Sequence, residues 1–225
     1  DGGWAYEAIR KGRGNDLSIA VMQAKALRSA MDIGLDIPDE SIERSLQFIR
    51  ARYKPYGEAD GIRYGNDPLS ERPGAFTYNG NKATVAMAAA GAVCMQEFGK
   101  YDDFRILRSV DKVIGDIEGE MKEKLNPGNI PFDAYAMNYV AQALYQVGGQ
   151  RWRDNYPKVR DAIIEMQAKG GGNATDGSWG ANGHLSGKVG QCYGTSVAVF
   201  ALSIPNRYLP ILQEGEAKIS KRRSK

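Results

Sequence analysis

Cysteine and histidine are nearly missing from this chain: two cysteines and one histidine in 225 residues. Two cysteines do not make a disulfide scaffold, and they leave the redox compartment open. The lone histidine, His184, lies in a Gly/Ser loop without companion ligands, so it reads as a solvated side chain and not a metal site. No apolar run approaches the roughly 20 residues of a membrane span, which leaves no transmembrane segment. Sustained alternation of apolar and polar residues, the mark of half-buried strands, is missing too.

Net charge is also scarce. The formal value is +3, yet Lys218–Lys225 alone carry five Lys/Arg and no acid, leaving 25 basic against 27 acidic residues elsewhere. A nucleic-acid binder spreads basicity over a folded face, so nucleic acid is not an expected partner. The chain starts at Asp1, inside a motif and without an initiator Met. The expectation is that the domain continues N-terminally, where any signal peptide would lie; the compartment stays open.

What is present fits a globular protein with an ample core: 42% hydrophobic and 25% charged residues. Glycine is abundant at 27 residues, against a usual share near 7%. The glycines gather in Asp1–Trp4, Gly57–Gly80 and Gly170–Gly190, and the glycine-poor stretches between them read as helices.

Those helices are of two kinds. Ala83–Met95, Ala134–Val147 and Thr195–Ile204 contain no charged residue, and Leu17–Ile33 contains three; helices apolar all round are expected to be buried all round. The other kind carries a single stripe: Ile42, Leu46, Ile49 and Tyr53; Ile106, Val110, Val113 and Ile117; Tyr156, Val159, Ile163 and Met166. Steps of three and four place each stripe on one face, with charge opposite. The kinds alternate, four inner with three outer. Inner helices are expected to end at Gly34, Gly99 and Gly148-Gly149 as left-handed C-caps. Outer ones are expected to start at N-caps Asp39, Asp102 and Asp154. Inner helices recur about every 50–65 residues, a repeat period. The pattern describes an all-α, double-walled α/α barrel over residues 1–212, with 213–225 as a basic, disordered tail.

Three joints that feed inner helices hold a glycine–aromatic turn: Gly3-Trp4-Ala5-Tyr6, Gly74-Ala75-Phe76-Thr77-Tyr78 and Asp176-Gly177-Ser178-Trp179-Gly180. With Asp1-Gly-Gly-Trp-Ala-Tyr6 and Glu165-Met-Gln167 ahead of Asp176–Gly180, the chain resembles the Q…DGxWG repeats of squalene–hopene cyclases and related terpenoid cyclases. The same repeats occur, weakened, in protein prenyltransferase β subunits. The resemblance implies an (α/α)6 toroid, of which seven helices form a partial, C-terminal piece.

It also implies catalytic positions, and these are altered. Where cyclases carry D-x-D-D, this chain has Asp16-Leu17-Ser18-Ile19, and a serine cannot protonate an alkene. Where prenyltransferases hold zinc with Asp, Cys and His, it has Asp133, Tyr135 and Gly190; one ligand of three does not bind zinc. Gly190-Gln191-Cys192 is not the thioester motif of complement-type toroids. Cys94 and Cys192 are expected to be buried small hydrophobes. No metal or cofactor is expected.

What remains is an aromatic set at the inner-helix entrances. Trp4, Phe76 and Trp179 read as staples between repeats. Tyr6, Tyr78, Tyr135, Tyr139 and Tyr193 are ligand-binding candidates. Asn138 and Gln142, one turn apart on an uncharged helix, must either bond a neighbouring helix or face a wet cavity. Asp16 and Asp133 are weak catalytic candidates, for a carbohydrate-active barrel as well, but sit where Asp caps helices. The loop Gly57–Asn81 is a candidate lid or partner surface.

The function expected is a non-catalytic toroid that binds an apolar, isoprenoid-like ligand or a protein. The alternative is a terpenoid cyclase-type enzyme whose acid lies outside this chain. Exposed flanks of the end helices point to a homodimer.

Overall fold

The computed structural model describes residues 2–6, 15–56, 67–80, 83–123, 125–170, 172, 176–183 and 189–206. Seven helices dominate: α1 (Leu17–Asp32), α2 (Asp39–Ala51), α3 (Val85–Glu97), α4 (Phe104–Glu123), α5 (Ala134–Val147), α6 (Gly149–Glu165) and α7 (Gly190–Ser203). A 3-10 turn, Ile204–Asn206, closes α7. The predominantly helical character read from the sequence is therefore correct. No helix among the described residues is long and apolar enough to cross a membrane.

The apolar helices are neighbours in chain order: α1 packs on α3, α3 on α5 and α5 on α7. The striped helices lie against them, α4 chiefly on α3, and α6 on α5 and α7. Every residue of α3 except Ala86 is buried, as a helix with neighbours on all sides and no charge before its last residue requires. α5 buries nine of its fourteen residues and leaves the others half-buried. The two end helices are not buried all round but keep the exposed flanks expected of end helices. α1 buries one face, Leu17, Ala20, Val21, Ala24 and Arg28, and α7 buries Gly194, Val197, Ala198 and Ala201. Their opposite faces look outward, with Met22 and Val199 about half exposed.

The inner-helix ends follow the sequence closely. Gly34 and Gly99 take φ of +85° and +71°, a conformation that costs glycine nothing. At each, the chain folds back on the last turn: Leu35 N–H donates to Ala30 O and Gly34 N–H to Met31 O, as Lys100 does to Met95 and Gly99 to Gln96. These paired bonds satisfy carbonyls the helix leaves free.

The outer-helix starts do not follow it. Asp39 is the first residue of α2, behind Pro38, and makes no cap bond. Asp103, not Asp102, accepts from the Arg105 N–H at the start of α4. Asp154 lies inside α6, which begins at Gly149 directly after α5. Gly148 and Gly149 both have positive φ, so two residues turn the chain and no linker with its own cap is needed.

One further element was not expected. Tyr53–Pro55 (β1) pairs antiparallel with Gly74–Phe76 (β2), Tyr53 opposite Phe76. Three residues are too short for alternation to be visible. Tyr53 therefore belongs to β1 and not to the stripe of α2, although its ring is still buried against Phe76 and Phe104, edge to face at 5.7 Å each. The strand pair anchors part of the long loop after α2; residues 57–66 of that loop, and the tail 207–225, lie outside the described residues.

Candidate functional site

The glycine–aromatic turns are structural joints. Trp179 is buried, and its Nε1–H donates to Ile163 O on α6 at 2.7 Å. Its backbone N–H donates to Thr195 Oγ1 of α7, and Gln167 Nε2 donates to Gly177 O. The Q…DGxWG residues thus tie the end of α6 to the body of α7. Phe76 is fully buried with its N–H on Ser109 Oγ. Gly91 of α3 lies under that ring so closely that a Cβ there would come within 2.2 Å of it. Trp4 packs half-buried on the core, and its carbonyl accepts from Asp16 N–H.

Beyond these joints, the helix entrances gather the other sequence candidates. Asp16 caps α1: its Oδ1 accepts from Ile19 N–H at 3.0 Å and from Ser18 Oγ at 2.5 Å. Its Oδ2 accepts from Tyr78 Oη at 2.7 Å. That bond pushes the Tyr78 phenol up to about 12, burial adding to it. Asp133 caps α5, with Oδ1 accepting from the N–H groups of Tyr135 and Ala136. Both carboxylates therefore hold orphan helix N–H groups, the commonest use of Asp at such positions.

Tyr135 and Tyr139 meet edge to face at 5.0 Å. Tyr139 is fully buried, and its hydroxyl donates to Met22 Sδ of α1 at 3.8 Å. Tyr193 is half-buried near Asp133. Burial pushes all three phenols upward, and for Tyr193 the nearby Asp133 adds to it. They are neutral rings at any physiological pH. Tyr6 stands apart as a solvent-facing residue, 77% exposed.

Gln142 settles the alternatives left open by its sequence position. It is buried and bonds a neighbouring helix: its Oε1 accepts from Lys25 Nζ of α1, while its Nε2 donates to Asn138 O at 2.5 Å. Lys25 Nζ also donates to Glu97 Oε1 at 3.0 Å. The Asn138 side chain is half-buried on the same helix. Glu97, the last residue of α3, has a side chain only 1% exposed. Burial pushes its carboxyl above the usual carboxylate range, opposed by Lys25 and Arg28. Neither Lys25 nor Glu97 was singled out from the sequence. The signal was there: each is a charge on a helix otherwise built for burial, and such a charge needs a partner.

Cys94 is buried as expected, whereas Cys192 is exposed, because α7 buries only one face. Among the described residues no group of three or more His, Cys, Asp or Glu is placed to hold a metal ion. His184 lies outside the described residues.

No family model matches this sequence. Neither the curated proteins nor the solved structures contain a significant match.

Proposed function

We propose that this chain is a non-catalytic partial α/α toroid of the terpenoid cyclase and prenyltransferase kind. Its role is to bind or scaffold, with an apolar, isoprenoid-like ligand or a protein as partner. One observation carries the reading: the two carboxylates at the inner-helix entrances, Asp16 and Asp133, act as helix caps. The cyclase acid positions next to Asp16 hold Ser18 and Ile19, and the zinc positions beside Asp133 hold Tyr135 and Gly190. Alternation of buried and striped helices supports the toroid arrangement. The bonds from α1 to α5, Lys25 to Gln142 and Tyr139 to Met22, support a centre filled by protein. The outward faces of α1 and α7 support association, and a homodimer through these flanks belongs to the proposal.

Incubating the full-length protein with squalene and with prenyl diphosphates tests it. The expected result is no product by mass spectrometry, with any binding seen as a rise in melting temperature. A cyclised or prenylated product would establish the enzymatic alternative. Loss of that product in Asp16→Asn or Asp133→Asn would identify the acid.

A further inference from the structure

Three helices meet at one polar point inside the core. Lys25 of α1 donates to Glu97 at the end of α3 and to Gln142 of α5. α1 and α5 both flank α3, and this ammonium is a polar bridge between them. Three properties of the cluster are asymmetric. Glu97 is sealed, with 1% of its side chain exposed, whereas Lys25 keeps 21% and so has a route to water. Glu97 also sits at the C-terminus of α3, where the helix dipole disfavours a negative charge. Finally, Glu97 and Gln142 present oxygens to the same nitrogen, so these oxygens lie within about two hydrogen-bond lengths of each other.

From this geometry we propose that Lys25, Glu97 and Gln142 form a proton-operated clasp between α1 and α5. With Glu97 ionised, its charge holds the Lys25 ammonium inside, and Lys25 bridges to Gln142. When Glu97 takes one proton from solvent, its new O–H donates directly to Gln142 Oε1. Gln142 keeps its bond to Asn138 O, and the ammonium turns out to water through its exposed side. No bond other than hydrogen bonds changes, and in both states Gln142 Oε1 accepts a hydrogen bond, from Lys25 in one and from Glu97 in the other. The groups that face the carboxyl set where it titrates: Lys25 and Arg28 of α1 favour the ionised form, while Asp32 of α1 opposes it. Cys94 of α3 feels the same charges but stays a neutral thiol, pushed up by burial. Gln142 contributes an amide and no charge. Arg28 itself is held by Asp32 at 2.8 Å. Burial sets the carboxyl above the ordinary glutamate value of 4.5, so the clasp opens at milder acidity than an exposed glutamate titrates.

The test follows lysine ammonium groups by nitrogen–proton NMR on the full chain between pH 8 and pH 4.5, with hydrogen exchange of α1 and α5 measured alongside. At pH 8 one ammonium resonance is expected to persist through slow solvent exchange, and Lys25→Met identifies it by its loss. It should fade with a single-proton midpoint above that of exposed glutamates. Over the same range α1 amides, corrected for intrinsic rate, should exchange no faster than at pH 8, because burial favours the protonated carboxyl and only the Lys25 ammonium is released. α5 should hold steady. Glu97→Gln, neutral and of the same shape, should lack the resonance at every pH. The proposal is overturned if the resonance survives at pH 4.5 in folded wild-type protein, persists in Glu97→Gln, or is missing at pH 8. Should Glu97→Gln fail to fold, the wild-type titration decides alone.

Discussion

Asp16 holds one backbone N–H at the start of α1 and Asp133 holds two at the start of α5, and the energetics of that arrangement can be measured. Asp16→Ala and Asp133→Ala should each lower stability by about 1 kcal/mol, the usual effect of losing a cap. The readout is the urea midpoint at unchanged slope. Tyr78→Phe removes one donor from Asp16, but Tyr78 is 41% exposed and water can replace it, so a change below about 0.5 kcal/mol is expected. Glu97 makes the opposite kind of statement. Its folded-state pKa is raised, so the folded protein binds that proton more tightly than the unfolded chain does. The stabilisation is complete below the unfolded value of 4.5 and is lost as pH rises through the folded one. Compared with Glu97→Gln, wild-type melting temperature should fall as pH climbs from 4.5 toward neutrality. Parallel melting curves across that range would contradict the burial argument. Capping was readable from residue type and place. The Lys25–Glu97 pair was not, because a contact between residues 72 positions apart leaves no periodic trace.

At the level of helices and turns, two glycines within helices mark where elements touch too closely for any side chain. A Cβ at Gly91 would meet the Phe76 ring at 2.2 Å, and one at Gly194 would meet the Gly180 backbone at 2.4 Å. Helix propensity alone favours alanine over glycine by about 1 kcal/mol. Overpacking of about 1–3 kcal/mol opposes it, and the contact distances decide for overpacking. Gly91→Ala and Gly194→Ala should both destabilise. Adding Phe76→Leu should recover part of the first loss and none of the second, since there the obstacle is main chain. Equal recovery in both would show that the clash is relieved by general relaxation. The helices themselves were legible because their 3.6-residue stripes and glycine stops repeat over many turns. The strand pair and the start of α6 were not. Each depends on only a few residues: Tyr53–Pro55 against Gly74–Phe76 in one case, and Gly148-Gly149 in the other.

For the molecule as a whole, the uncharged α7 decides the expectation. Its outward side carries Cys192, Ser196 and Val199, and no charged residue occurs anywhere along it. With the outward side of α1, around Met22, this leaves apolar surface at both ends of the packed row. Light scattering at micromolar concentration is expected to report a dimer, and Val199→Lys should shift it toward monomer without altering the melting temperature of the monomer. A monodisperse wild-type monomer would remove the homodimer from the proposed function. Sequence periodicity predicted which helices are apolar all round, and the incomplete repeat predicted that the end helices, α1 and α7, would keep an exposed flank. Burial of a helix end to end needs partners on both flanks, and those partners are not encoded in the helix itself.

The parallel bridge between the loops preceding α5 and α7 has a mechanical consequence. Gly180 N–H donates to Gly128 O, Ile130 N–H to Gly180 O, and Ala134 N–H to Asn182 O, while the Trp179 indole is pinned to Ile163. A pull on the C-terminal end of α7 therefore loads the anchor of α5 and the last turn of α6 together. These three helices should rupture in a single step under tension, instead of peeling away one at a time.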